Sequence, residues 1–441
     1  MSQNFSRTRK KELGLAELIA MALGGMVGGG IFAILGVSVE HIGNTTPVAV
    51  LLGGILALFA AYSYVKLALL YKDEGATYSF FRKTFPESPF ASASIGWLVV
   101  FGYISTLALY AFTFSSYLCS IFPSIHSIWF NRAVAGGIIA LFAVVNLTSV
   151  KGMGKIEDWL VYTKIILLLF ISGLLAGKGD INQFLPIIEG HTTLLNVVII
   201  ASITFVAYEG FQLVIHAYHE MDNPARNVPR AIYSSIGIAT ILYIALAIGA
   251  LATIPKEMLI RDKEYALAAG AQHILGTLGR TAIIFGALLA TSSAISGTLF
   301  GASRLMAVIA SDGYLPSFFA HRIKVHIPNF AIGAMALMAF ILILTGGLQD
   351  ILEFGSISFI VVSFLMALAN YKKRKETRTH IFPALVAMVG LFAAGLLILY
   401  FEWTENKPQL GVVLGVFFVL ILGATFYAAR NKRRSKVTSQ G

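Results

Sequence analysis

The sequence is short of charge, of cysteine and of catalytic side-chain sets, and each shortage removes a class of protein. Only 12% of its 441 residues are Asp, Glu, Lys or Arg, against 57% hydrophobic, which leaves too little polar surface to coat a soluble globule of this length. The single cysteine, Cys119, lies in an apolar run and excludes a disulfide framework or a cysteine-built metal site. The apolar segments hold no paired-histidine metal motif, no serine or cysteine nucleophile set and no conspicuous acidic pair. An enzyme is therefore disfavoured, and neither a metal nor a cofactor is expected. No cleavable signal peptide is expected either, because the basic N-terminal stretch continues into an apolar run of full spanning length.

What the chain does have is apolar runs of about twenty residues from end to end, each long enough to cross a hydrocarbon layer as a helix. The expectation is an all-α polytopic membrane protein with about twelve transmembrane helices, at roughly 14–42, 47–71, 90–122, 131–148, 157–176, 193–219, 231–254, 281–310, 328–345, 350–371, 381–401 and 409–429. The net charge of +11 raises the question of nucleic acid, but Lys and Arg are dispersed among alternate loops instead of forming one patch, so no nucleic-acid partner is expected. Most fall in one set of loops: Arg7 to Lys11, Lys72, Arg82 and Lys83, Lys151 and Lys155, Arg226 and Arg230, Arg322 and Lys324, Lys372 to Arg378, and Arg430 to Lys436. The other set holds fewer, Arg132, Lys178, Lys256, Arg261, Lys263, Arg280 and Lys407. The rule that cytoplasmic loops are rich in Lys and Arg then predicts both termini inside, in a cell (plasma or inner) membrane.

Two spans look broken in the middle, and they stand five apart. In the first, five of the seven residues from Gly24 to Gly30 are glycine, at about 1 kcal/mol of helix propensity each. In the sixth, Glu209 and Gly210 interrupt the apolar run TFVAYEGFQLV. If each broken helix opens a five-helix unit, the odd number of crossings makes the second unit enter from the opposite side, an inverted pair of repeats. The expected divisions are a cytoplasmic segment 1–13, a first five-helix repeat 14–176, a second inverted one 193–371, two further helices in 381–429 and a basic tail 430–441. NPARNVPRA (Asn223 to Ala231) and SDGYLP (Ser311 to Pro316) read as loops that end helices. Tyr265, Leu267, Ala268 and Ile274 suit a short amphipathic helix lying across the outer mouth as a lid.

Unwound backbone at membrane depth is tolerated only where protein, water or a bound solute satisfies it. The half-helix that resumes after Gly30 presents free N–H groups and the positive end of its dipole, which attract a carboxylate. Carbonyls at the end of the preceding half-helix, near Met21 to Gly25, and in helix six, near Phe205 to Ala207, suit an ammonium. Together they match a zwitterion, so an amino acid is the ligand class. The plainer alternative is that the glycines only allow close helix packing. Lys164, inside the apolar run DWLVYTKIILLLF, is a candidate to gain and lose a proton during transport, unless it snorkels to the interface. Glu209 has three open roles: accepting a substrate amine, carrying a proton, or capping the resumed helix. His216 and His219 read as interfacial, and Arg304 as snorkelling inward or pairing with a carboxylate.

GGMVGGGIF in helix one, YEGF (Tyr208 to Phe211) followed by MDNPARNVPRA, and ATSSAISG with SRLMAVIASDGYLP in helix eight resemble the amino acid, polyamine and organocation transporter superfamily, in order and spacing, from about Glu17 to Tyr371. The resemblance implies the leucine-transporter fold, with helices one to five and six to ten as inverted repeats and the solute between the two broken helices. The likeness is greatest to ApcT-type amino acid transporters, in which a helix-five lysine occupies the place of a sodium ion. Lys164 falls on that position, with partners at Gly24, Gly25, Ser292 and Ser293. This implies a proton-coupled, sodium-independent amino acid permease with proton and amino acid as partners in the lipid bilayer. Alternatives are an amino acid or polyamine antiporter on the same fold, or, without flux, a solute-sensing receptor, against which no soluble signalling domain adjoins the spans. The carboxylate would sit on Gly28, Gly29 and Gly30, the amine on carbonyls near Ala22 and Phe205, and the substrate side chain among Tyr103, Ser105, Tyr208, Glu209 and Ser296. The sequence departs from the family at Glu209, where many relatives carry an apolar residue, which points to a substrate with an extra cationic group.

Overall fold

A computed structural model describes residues 13–122, 127–148, 153–180, 184–188, 192–262, 265–323 and 327–438, with the side chains of 153–160, 273–275 and 433–438 not described. The basic stretch Arg7 to Lys11, Lys151, Lys263 and Lys324 lie outside the described residues, as do the side chains of Lys155, Ile274 and Lys436.

The described chain is built of α-helices: α1 Leu15–Met26, α2 Gly29–Ile42, α3 Thr46–Tyr71, α4 Ala76–Thr84, α5 Pro89–Cys119, α6 Ile128–Thr148, α7 Met153–Lys178 and α8 Leu194–Thr204. Two 3₁₀ stretches, Phe205–Tyr208 and Phe211–Ala217, continue α8. There follow α9 Pro224–Thr253, α10 Lys256–Arg261, α11 Ala266–Ser311, α12 Asn329–Thr345, α13 Leu348–Lys372, α14 Ile381–Glu405 and α15 Lys407–Thr438. Among the described residues, 10 helical segments are long and apolar enough to cross a membrane, Gly29–Tyr71 counting as one, while Leu15–Met26 and Asn329–Thr345 are apolar but shorter. The chain is an all-α polytopic membrane protein. The count differs from about twelve because α2 and α3 count as one segment, with α1 too short to count alone, and because α12 is a short helix.

Burial sorts the helices into a centre and a rim. The most apolar window of α5 is 89% buried, as is that of Leu194–Ala217, against 22% for α6 and for Lys407–Lys432 and 28% for α14. Around α5 pack α11, α13, α15 and α6. The rim helices turn large apolar groups outward, such as Phe382, Phe392 and Phe418. In water such surface would cost about 25 cal/mol per Å²; against lipid tails it costs little.

One loop expectation is corrected, and a short helix is found where one was expected. The Asn223 to Ala231 segment is not a loop that ends helix six: it is the first two turns of α9, which starts at Pro224 and carries Pro229 inside. A proline at the first helical position gives up an N–H that has no intrahelical partner anyway. The stretch from Lys256 to Gly279 forms α10 and then the start of α11, which kinks at Gly276 (φ 65°) before the spanning part; α10 packs on α2. Ser311 does end its helix, as expected.

Candidate functional site at the two helix breaks

The first span stops at Met26 and resumes at Gly29. The Val27 N–H still reaches Leu23 O (2.8 Å) and the Gly28 N–H bends back to Met26 O (2.9 Å), which closes the first half-helix. No side chain caps the first turn of α2, so its N–H groups point into the break with the positive end of the helix dipole. The sixth span breaks at Glu209 and Gly210, whose φ of 126° is a region open to glycine. The two breaks touch. A Cβ on Gly210 would lie 2.6 Å from the Gly25 carbonyl carbon and 2.7 Å from Met26 N, and one on Gly30 would lie 3.1 Å from Ala207 Cα.

The glycine triplet has a packing role as well. A Cβ on Gly28 would meet Tyr110 at 2.7 Å and Ala294 at 2.8 Å, and one on Gly29 would meet Thr113 at 2.8 Å. These glycines let α5 and α11 close on the break, so the space a Cβ would fill is taken by protein instead of being left for a ligand. Gly28 has negative φ (−115°), so close approach, not backbone conformation, is what calls for glycine there.

Lys164 is wholly buried. Its Nζ donates to Gly24 O (2.9 Å) and to Ser293 Oγ (2.9 Å), tying α7 to the end of α1 and the middle of α11. It therefore points into the bundle and does not snorkel. Gly25 O takes a hydrogen bond from Tyr110 (2.8 Å), and Ser292 is only partly buried, one position along from Ser293.

Of the carbonyls expected near Met21 to Gly25 and near Phe205 to Ala207, those of Gly25 and Ala207 lie at the breaks, whereas those of Ala22 and Phe205 do not. Ala22 lies a turn before the end of α1 and Phe205 opens a 3₁₀ turn, both inside continuing helix. The carbonyls where helix ends are those of Gly25, Met26 and Ala207, and tyrosines reach all three: Tyr110 the first, and Tyr243 both Met26 O (2.8 Å) and Ala207 O (3.0 Å).

Glu209 is 2% exposed. Its Oε2 accepts from Gln212 Nε2 (2.8 Å), while its Oε1 is buried with no hydrogen-bond partner among the described residues. The same Gln212 amide donates to Tyr103 (3.2 Å), and its Oε1 accepts the Gly210 N–H (3.0 Å). Gln212 thus takes the N–H of Gly210, the residue just before the resumed 3₁₀ stretch, whose first turn has no side-chain cap. Tyr208 faces away, donating to Val50 O (2.7 Å), and Ser105 donates to Ile351 O (2.9 Å). Ser296 is 8% exposed.

Sequence reasoning passed over Tyr110, Tyr243 and Gln212. A polar amide three residues after Glu209 in an apolar span was the available signal for Gln212. Arg304 folds back on its own helix, donating to Phe300 O (2.7 Å) and lying over the Phe300 ring. His216 Nδ1 lies 2.8 Å from Glu74 O, and His219 is exposed.

The two ends of the bundle differ. At one end Asp312 accepts from Tyr78 (2.8 Å) and pairs with Arg82, so α4 is fastened to the turn after α11. Burial there pushes Tyr78 up, and the Asp312 charge adds to it. Beside them, burial alone would raise the Asp73 carboxyl, but hydrogen bonds from Lys83, Ser79 and the Gly75 N–H outweigh it and hold it below its ordinary value. At the other end lies a cavity of about 790 Å³, lined in part by Ser116, Cys119, Asp262, Tyr265 and Arg280.

A buried break of this kind, with helix ends of both signs inside a polytopic helical bundle, fits a membrane carrier of small solutes. A model described as amino acid permease matches residues 13–427. An uncharacterized protein of Methanocaldococcus jannaschii is 30% identical over 437 residues, 96% of this chain and 97% of its own. The inner membrane transport protein YbaT of Escherichia coli is 27% identical over 425 residues (96% and 97%), and the branched-chain amino acid permease BcaP of Bacillus subtilis 24% over 468 (98% and 95%). The chain belongs to the amino acid permease family, within the amino acid, polyamine and organocation superfamily, and is a secondary active amino acid transporter, not an enzyme.

Proposed function

We propose that this transporter is a proton-coupled, sodium-independent amino acid permease of the ApcT type, with both termini cytoplasmic. Residues 14–176 and 193–371 form two inverted five-helix repeats. The substrate lies where the first and sixth spans break. Its carboxylate takes the uncapped N–H groups that begin at Gly28, Gly29 and Gly30, and its ammonium takes the carbonyls of Gly25, Met26 and Ala207. Glu209 Oε1, buried and without a hydrogen-bond partner among the described residues, accepts a further N–H, which favours substrates with a cationic side chain; Tyr103, beside Gln212, borders the same space. Access alternates as helices one, two, six and seven rock against helices three, four, eight and nine.

The observation that carries this reading is the position of Lys164. Its ammonium bridges the end of α1 to α11 through Gly24 O and Ser293 Oγ, the contact that rocking must open. A charged Lys164 holds that contact with charge-assisted hydrogen bonds, and loss of its proton weakens it. Protonation and helix position are therefore linked, which is what coupling requires. Reconstitution into vesicles tests it: uptake into empty vesicles driven by an inward proton gradient, unchanged when sodium is replaced by choline, is expected. A strict need for internal amino acid would overturn symport in favour of exchange.

A further inference from the structure

We propose that Tyr243, seconded by Tyr110, is a positioning residue whose hydroxyl closes the empty site by occupying the carbonyl oxygens that the substrate ammonium must take. The proposal rests on the amino acid site described above. Tyr243 is 1% exposed, and its oxygen lies 2.8 Å from Met26 O and 3.0 Å from Ala207 O, one carbonyl from each broken span. A phenol has a single proton, so it cannot fully satisfy two carbonyls. Tyr110, from α5, supplies a second proton to Gly25 O. Of the three carbonyls at helix ends, Met26 O also takes the Gly28 N–H (2.9 Å), while Gly25 O and Ala207 O take tyrosine hydroxyls, and an ammonium brings three N–H donors and a charge.

The geometry also explains how an empty carrier stays compact. The carbonyls of a broken helix in a dry site are costly to leave unmade. The tyrosines hold them while the site is empty and draw the two breaks together, so the unloaded protein can change its access without a solute. Substrate entry trades the hydroxyls for an ammonium. Tyr208 offers a contrast: it is equally buried, but its hydroxyl bonds to Val50 O in the interior of α3, away from either break.

The test uses the full chain in nanodiscs, with L-alanine, L-leucine and L-arginine, each beside the α-hydroxy acid of the same side chain. Wild type should bind at least one amino acid and reject its hydroxy acid. Tyr243→Phe leaves Ala207 O without its hydroxyl donor, and Met26 O with the Gly28 N–H alone, until an ammonium arrives, so it should bind that amino acid about tenfold more tightly, with affinity for the hydroxy acid unchanged. Its empty form should melt at a lower temperature, and the shift on adding amino acid should grow. In vesicles, exchange should persist while net uptake, which needs return of the empty carrier, slows. Tyr208→Phe should lose the same stability with and without amino acid. If Tyr243→Phe does not fold, Tyr110→Phe carries the same expectation through Gly25 O. Unchanged or weaker amino acid binding in both folded variants, with wild type still rejecting the hydroxy acids, would overturn the tyrosine role alone. Wild type that does not distinguish amino from hydroxy acids would overturn the ammonium site, and this proposal with it.

Discussion

Replacing Gly210 by alanine probes the contact on which the site depends, that of the two breaks against each other. The new methyl group would lie 2.6 Å from Gly25 C, 2.7 Å from Met26 N and 2.9 Å from Gly25 Cα. All three are backbone atoms, so no side chain can swing aside. Alanine would also have to adopt a φ of 126°, a strain of about 1–3 kcal/mol, and overpacking adds about 1–3 kcal/mol. The expected loss is therefore roughly 2–6 kcal/mol, enough to lower the melting temperature by many degrees and to separate the breaks, with amino acid binding lost. Gly237→Ala is the control. It lies in α9 with nothing within 4 Å of the added methyl group, so it should be neutral or stabilise by up to about 1 kcal/mol. Thermal unfolding in detergent, read beside amino acid binding, decides the matter. A Gly210→Ala protein that melts and binds as wild type would refute the reasoning, because the two broken spans could not then be in contact.

Other outcomes follow from the same geometry. Glu209→Gln keeps the shape and the contact with Gln212 but removes the charge, so competition assays should show uptake of cationic amino acids falling about tenfold or more relative to neutral ones; equal losses would assign Glu209 a structural role. Asp312→Asn weakens the fastening of α4 by Tyr78 and Arg82, and cysteine-accessibility labelling near Tyr78 should rise in the absence of substrate; unchanged labelling would show that other contacts hold that end closed. Asp73→Asn tests a pH dependence. Because the folded carboxyl is held below its ordinary value, its contribution is present above about pH 4 and fades as pH falls through the lower folded value. The pair with Lys83 is partly exposed, so the difference from wild type should stay near or under about 1 kcal/mol at pH 7 and vanish in stronger acid; a difference that grew on acidification would contradict the sign.

What could be read in the sequence was what costs energy in lipid. A lysine inside an apolar run, five glycines within seven residues and a Glu-Gly pair in the middle of a span are each expensive unless something answers them, and each falls at the junction of the broken helices. What could not be read was where each half-helix stops. Helix propensity pointed to an end somewhere from Met21 to Gly25, and α1 runs to Met26, so the carbonyls at the break are those of Gly25 and Met26 and not that of Ala22. Tyr110 and Tyr243 were invisible for another reason. A tyrosine in an apolar span looks like any core aromatic, and only the folded chain brings Tyr243 to a carbonyl 217 positions earlier. The start of α9 was hidden by its prolines, which mark a helix beginning as readily as a loop.

The central claim is that Lys164 links a proton to transport, and Lys164→Ala in proteoliposomes tests it most directly. Gel filtration and thermal unfolding establish first that the variant is folded. The account predicts that uptake driven by an inward proton gradient falls to the level seen without a gradient, because no titrating group remains between Gly24 O and Ser293 Oγ. Uptake in the folded variant that keeps the pH dependence of wild type would contradict it.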